Sequence, residues 1–253
     1  MKKLNSLLIS GLISLSLLSS QASATIQSDV EPLKPAKTMN SEDPYEKFNR
    51  SVYAFNMGFH NLVGAPITNV YLNYVPSPAQ TGFKNFFSNL TVPLDAFNSL
   101  LQGKVEQSLE SFMRFTINTT FGIGGLLDIA TPAGLPKKDE DFGQTLSVWG
   151  AWNEASFVMV PFIGPQTTRS IIGSVGDSMA DPVYVASDID KEKSGIVLGS
   201  AFVNYADVAP YIETLKTQPD PYIFMRESYL QFRTNLIYDG QPPVVNLDDF
   251  NFE

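Results

Sequence analysis

Apolar positions along this chain follow two patterns: capped helical stripes, and long runs that carry almost no charge. Tyr45, Phe48, Val52, Phe55 and Phe59 recur at alternating spacings of three and four, which predicts an amphipathic helix. Asp43 is placed to cap it, Pro44 suits the first helical position, and Glu46 stands where a capping-box carboxylate would. The pattern returns at Asp220-Pro221, ahead of the stripe Tyr222, Met225, Tyr229, Phe232 and Leu236, and Gly240, Pro242 and Pro243 end it. The repeated Asp-Pro-Tyr reads as one capping chemistry used twice, because nothing after it aligns. Further helices are predicted near Ser77–Ser88, Leu94–Leu101, Lys104–Thr120, Thr167–Gly176 and Ile196–Lys216. Pro93, Gly103, Gly122-Ile123-Gly124-Gly125 and Pro132-Ala133-Gly134 serve as breakers. Strand signals are few and short, so the class is mainly α.

The run from Phe142 to Thr168 obeys neither a loop nor a spanning-helix rule. It holds Trp149, Trp152, Phe157, Met159, Phe162 and Ile163, with Glu154 as its one charge. Gly143, Gly150, Pro161, Gly164 and Pro165 interrupt it, whereas a membrane-spanning helix needs about 20 mostly apolar residues in register. Such a segment is either buried in protein or enters a bilayer while shielded by protein. Residues 85–103 and 115–136 are similarly depleted, carrying only Asp95 and Asp128. An ordinary globular helix spaces charges along its solvent face, so these segments lack a fully aqueous face.

The N-terminus reads as an export signal, which does not by itself name the final compartment. Lys2 and Lys3 precede an apolar region, Leu7 to Leu18, and Ala22-Ser23-Ala24 is an A-x-A cleavage site, so residues 1–24 read as a secretory signal. Residues 25–42 read as a flexible polar leader, 43–240 as one domain, and 241–253 as an acidic tail. The net charge of −9 grows more negative once Lys2 and Lys3 leave, which argues against nucleic acid as a partner. The absence of cysteine removes disulfides and thiolate metal sites. No metal or cofactor is expected.

Catalytic readings are scarce. The one histidine is His60, just past the first stripe, where a helix-end or surface position is expected. Gly176-Asp177-Ser178 resembles the nucleophile block of GDSL-type esterases, but no histidine follows it to act as base. An exported lipase-like hydrolase centred on Ser178 is therefore the weaker alternative. Gly122-x-Gly124-Gly125 is an incomplete dinucleotide fingerprint, better read as tight packing or a hinge. Asp139-Glu140-Asp141 lacks calcium-loop spacing, and Lys137 to Asp141 reads as a solvated loop, as does Asp188 to Ser194.

Longer motifs carry a family resemblance. Asp43-Pro44-Tyr45-Glu46-Lys47-Phe48-Asn49-Arg50 with Tyr53-Ala54-Phe55-Asn56 resembles the opening of the MlaA (VacJ) family. The likeness continues through Tyr74-Val75-Pro76, Asn85-Phe86-Phe87-Ser88-Asn89-Leu90, Leu101-Gln102-Gly103 and Arg114-Phe115-Thr116-Ile117-Asn118-Thr119. It extends over Gly122 to Ala130, Asp141 to Leu146, Trp149-Gly150, Val160 to Pro165, Arg169 and Asp220 to Tyr229.

The resemblance implies a ring-shaped single domain of amphipathic and interfacial helices with a Gly/Pro-broken hairpin, lying in the periplasmic leaflet of a Gram-negative outer membrane. It implies phospholipid removal from the outer leaflet through an amphipathic channel, delivery to a periplasmic carrier of the MlaC type, and a trimeric porin as membrane partner. A structural, porin-associated role without transport is the other alternative. Family members are commonly anchored through a lipidated cysteine, so without one the chain is expected to hold the membrane by its apolar segments.

Candidate lipid-path or membrane-contact residues are Asn49, Phe55, Asn56, Phe59, Phe121, Leu126, Trp149, Gly150, Trp152, Phe157 and Phe162. Asn49 and Asn56, seven residues apart, share a helix face and either line a polar side of the lipid path or make helix-packing or solvent-facing contacts. Gly150 and Pro161 are expected to flex, and Trp149 and Trp152 to meet lipid or porin.

Overall fold

The computed structural model describes residues 43–152, 155–180 and 190–243, with the backbone alone over 190–194. The expected signal, the leader, Glu154 and the tail beyond residue 243 lie outside the described residues. Among the described residues eight helices and one hairpin follow in order: α1 Glu46–Phe59, a π-helical turn His60–Gly64, α2 Ala65–Tyr74, α3 Ser77–Leu101, α4 Val105–Thr120, α5 Phe142–Val148, β1 Phe157–Val160, β2 Gly164–Thr167, α6 Thr168–Ala180, α7 Asp190–Leu215 and α8 Pro221–Ile237. Contacts close a circuit, α3 on α5, α5 on α8, α8 on α7 and α7 back on α3. The class is mainly α, as expected. Among the described residues no helix is long and apolar enough to cross a membrane.

Several boundaries differ from the sequence reading for definable reasons. Asp43 does not cap α1: the N-cap position is Tyr45, and Asp43 instead accepts from the Tyr45 N–H in a local turn and from the side chain of Asn49. Pro93 does not break α3, which runs through it for 25 residues. The missing N–H forfeits one bond inside the helix. Lateral ties to α4 offset it: Ser108 Oγ donates to the Ala96 carbonyl (2.8 Å), Gln107 Nε2 to Ser99 Oγ (3.3 Å) and Asn89 Nδ2 to Thr119 Oγ1 (3.0 Å). The run expected as a loop at Asp188–Ser194 lies outside the described residues up to 189 and is helical from Asp190.

Three helices, α1, α4 and α6, are inverted relative to a water-soluble bundle. In α1 most of the apolar stripe points outward, with Phe48 55 % and Phe55 49 % exposed, while Asn49 and one stripe member, Val52, are buried. In α4, Val105, Leu109 and Phe112 face out and Ser111, Arg114 and Asn118 face in. In α6, Ile172, Val175 and Met179 face out over buried Arg169 and Ser170. Among the described residues, buried polar side chains outnumber buried apolar ones. The apolar core is small: Val52, Phe157, Met159, Tyr222 and Leu230, where α1, the hairpin and α8 meet.

Hydrogen bonds replace apolar packing elsewhere. Arg114 donates to Asp128, Thr131 Oγ1 and the Leu135 carbonyl, and Asn118 Oδ1 accepts from the N–H groups of Ile129 and Ala130. These bonds lash loop 121–136 to the inner face of α4. Gly122 and Gly125 permit it, since a Cβ at either would collide with α4 or with Asn89. The Lys137–Asp141 run is a loop, but only Lys138 and Asp139 are exposed. Glu140 is buried and accepts from Gln102, Lys104 and Gln107 at 2.8, 2.8 and 2.6 Å. Asp141 caps α5 through the Gln144 N–H and holds both terminal nitrogens of Arg233.

Candidate functional site

Phe142–Thr168 resolves into three parts: α5, a turn at Gly150 with φ of 67°, and an antiparallel hairpin in which Phe157 pairs with Thr167 and Val160 with Gly164. Two asparagines of α1 fix that hairpin. Asn49 Nδ2 donates to the Phe157 carbonyl (3.2 Å) and its Oδ1 accepts from Met159 N–H (2.8 Å). Asn56 does the same one register further, donating to the Val160 carbonyl (3.0 Å) and accepting from Phe162 N–H (2.8 Å). Each side chain acts as a piece of neighbouring strand. Asn49 is fully buried, so it is a packing hydrogen bond and not a surface of a lipid path. Pro161, expected to flex, is bracketed on both sides by Asn56.

Between α1, the hairpin tip, α7 and α8 lies a cavity of about 710 Å³ with a mainly apolar wall. Asn56, Phe59 and Phe162 line it, as do Tyr205, Met225 and Phe232. Phe162 takes φ of 65° and packs edge-on against Phe55 (5.0 Å) and Phe59 (5.2 Å), so its ring closes one side of the opening. Phe157 belongs to the core beneath and has no surface for lipid. Trp149 is half-exposed, donates its indole N–H to the Leu101 carbonyl (2.9 Å) and stacks edge-on against Phe142. Trp152 is partly exposed and its carbonyl accepts from Arg169. Phe121 stands out from the loop after α4, and half-buried Leu126 rests on Gly82. These residues do not converge with the cavity wall.

The sequence reading missed three groups. His60 is buried, not at the surface: Nδ1 meets Tyr205 Oη at 2.6 Å and Nε2 meets Glu213 at 2.8 Å, joining the π turn to α7 at the cavity wall. Gly64 is required there, because a Cβ would overlap the Tyr205 hydroxyl. The two Asp-Pro-Tyr motifs also meet in space. Tyr222 Oη donates to Asp43, Arg50 donates to Asp220 (2.8 Å), and the Arg50 guanidinium lies over the Tyr222 ring. Burial, and then the Asp43 carboxylate, push the Tyr222 phenol well above its usual range. The third group is buried Arg233 with the partly buried Asp141 and Asp177. Burial alone would raise Asp141, but the hydrogen bonds and charge of Arg233 together with the Gln144 hydrogen bonds outweigh it and hold that carboxyl below its usual range. The repeated Asp-Pro-Tyr was the available signal for the second group; His60 and Asp141, the latter inside a charge run, carried none.

Ser178 lies in α6 and donates to the Ser174 carbonyl at 2.7 Å. Asp177 beside it accepts from Asn98 Nδ2 (2.8 Å) and Phe142 N–H, and His60 is engaged with Tyr205 and Glu213. The Gly-Asp-Ser block is thus part of the packing between α3, α5 and α6.

Residues 41–236 match the family described as MlaA lipoprotein. The chain belongs to that family. It is 35 % identical over 190 residues to an uncharacterised protein of Rickettsia felis, covering 74 % of each chain. It is 35 % identical over 205 residues to the intermembrane phospholipid transport system lipoprotein MlaA of Escherichia coli, covering 78 % of this chain and 79 % of that one. A solved structure from work on the structural basis for maintenance of bacterial outer membrane lipid asymmetry superposes with a TM-score of 0.68 at 30 % identity, over 78 % of this chain and 99 % of that one. Family motifs thereby gain physical content: Asn49 and Asn56 hold the hairpin, Arg114, Asn118 and Asp128 hold the loop after α4, and Asp141 and Arg169 sit under the Trp149 turn.

Proposed function

We propose that this protein is the outer-membrane component of a phospholipid transport system, removing phospholipids misplaced in the outer leaflet and passing them to a periplasmic carrier. The observation that carries the reading is the inversion of α1, α4 and α6, apolar outward and polar inward. Burying such faces against acyl chains stabilises the protein in a bilayer, while in water they would remain exposed. The names of its family relatives support the same reading. The apolar cavity beside His60 and Asn56 offers acyl chains a walled space, with Phe59 and Phe162 in its wall and Phe55 packed against Phe162. Trp149 and Trp152, with Gly150 as the joint between them, and Phe121 and Leu126 are the proposed contacts to lipid or to a trimeric porin.

The protein is exported by a cleaved signal and held in the periplasmic leaflet by these faces. A carrier of the MlaC type receives the phospholipid. The protein acts without covalent chemistry, and Ser178→Ala leaves transport unchanged.

Outer-leaflet phospholipid should rise in a strain lacking the protein and fall again on complementation. An unchanged level would favour a structural, porin-associated role. Co-purification of phospholipid and porin from solubilised outer membrane is the expected companion result, and a lipid-free soluble periplasmic monomer would overturn the assignment.

A further inference from the structure

A second cavity, of about 370 Å³, lies at the corner between α2, α3 and α7. Ser77, Gln80, Thr81, Lys84 and Asn85 of α3 give it a polar wall that the first cavity lacks. Lys84 Nζ reaches both carboxylate oxygens of Asp207 on α7, at 2.9 and 2.8 Å, with both side chains about half exposed. Tyr71 lines the same cavity, its ring held edge-on by Phe202 at 5.2 Å. Its hydroxyl is shielded from solvent and has no hydrogen-bond partner. An unpaired buried hydroxyl costs free energy unless something polar fills the space before it. Gln80 holds the corner open by donating to the Leu72 and Val75 carbonyls at 3.1 and 2.7 Å.

The charge arrangement selects the ligand class. Lys84 keeps a third N–H beyond the two aimed at Asp207, and the Asp207 carboxylate keeps lone pairs beyond the two it uses. A plain anion would be drawn to Lys84 and repelled by Asp207, and a plain cation the reverse. A zwitterion whose opposite charges are a few bonds apart satisfies both without breaking the pair. Leu72, Val203 and Ala206 complete the wall with apolar side chains. A pocket part polar and part apolar fits the head and first carbons of an amphipathic molecule.

We infer that the α2–α3–α7 corner is a binding site for a phosphate–ammonium zwitterion, with Lys84 taking the phosphate, Asp207 the ammonium and Tyr71 a further oxygen of the head group. That the zwitterion is the head of a phospholipid rests on the function proposed above; the recognition chemistry does not. The site shares α7 with the 710 Å³ cavity but none of its lining residues.

The test is titration of the purified full chain in non-ionic detergent with glycerophosphoethanolamine, glycerol 3-phosphate and ethanolamine, followed by calorimetry. A second arm uses nanodiscs of phosphatidylethanolamine or of phosphatidylglycerol. Glycerophosphoethanolamine should bind saturably and the two single-sign probes at least tenfold more weakly. Tyr71→Phe should weaken binding severalfold with unchanged folding, because the ring contact to Phe202 is kept. Lys84→Met with Asp207→Leu should abolish the preference for the zwitterion, and thermal melting checks that this pair folds. A preference seen in nanodiscs and lost in the double variant assigns the lipid source, whereas equal affinity for the soluble zwitterion assigns a free small molecule. No saturable zwitterion binding in either arm, or binding unchanged in the double variant, overturns the inference. Transport that persists in a folded double variant without this preference leaves the proposed function standing while removing this site from the transport path.

Discussion

The Asn49 side-chain carbonyl accepts a hydrogen bond from the backbone N–H of Met159 at 2.8 Å, across 110 residues of sequence. With the bond from its own amide to the Phe157 carbonyl, Asn49 fills the place of a missing third strand beside β1. Asn49→Ala orphans two buried backbone groups, at about 1–3 kcal/mol each. Denaturant titration in detergent should show that loss, and Asn56→Ala, at a less buried position, should cost less.

Asp141 and Arg233 form a second tie, between the start of α5 and α8. Asp141→Ala leaves a buried guanidinium unpaired and removes the α5 cap, with an expected loss of about 3–5 kcal/mol. Asp141→Leu combined with Arg233→Met should recover most of the loss. A double variant as unstable as the sum of its singles would show that the two residues act separately.

Asp95 supplies a pH dependence opposite to that of the paired acids. Burial, only partly opposed by Lys137, pushes its carboxyl up to about 7. Between the ordinary carboxylate range near 4 and pH 7 the folded chain therefore holds more protons here than the unfolded chain, so stability falls as pH rises through that window. Asp128 behaves oppositely: burial opposes its ionisation, but hydrogen bonds from Thr131 and Arg114 outweigh it and hold the carboxyl at about 2. Its stabilisation is present above pH 4 and lost as pH falls toward 2. Melting temperatures of Asp95→Asn should lack the wild-type decline between pH 4 and 7 and keep the decline at lower pH.

Leu109 and Phe112 test the outward face of α4. Both are about three-fifths exposed, so changing them to aspartate should leave the fold intact. Membrane partition should drop about tenfold or more, given roughly 1.5–3 kcal/mol for each large apolar side chain buried in lipid. Flotation with liposomes reads this, and unchanged flotation would show that α4 faces water or protein.

Much of the helical framework was legible in the chain. The Asp220-Pro221 start, the stop at Thr120 and the α6 start are local chemistry, set by caps and by glycine and proline geometry. Pro93 misled because its penalty is local, while the ties from α4 that hold α3 through it come from residues up to 30 positions away. Asp43 misled for the same reason: a capping position is readable, but Tyr222, 179 residues later, claims the carboxylate. Of the candidate site residues, Asn56, Phe59 and Phe162 meet at one cavity, and Asn49 and Phe157 lie beneath it. Their grouping with Tyr205 and His60 arises only where α7 returns to α1.

The sequence by itself determined that helices lie close to the observed ranges of α1, α4 and α6, with an apolar stripe along α1, that charge is scarce across three long segments, and that the family motifs are present in order. It did not determine which face of those helices is inside. A 3.6-residue period reports that two faces differ, and it is the same whether the apolar face meets a core or a bilayer. Tertiary structure decided it: Asn49, Arg114 and Arg169 find their hydrogen-bond partners only on the inner side, and that turns Phe48, Phe112 and Ile172 outward.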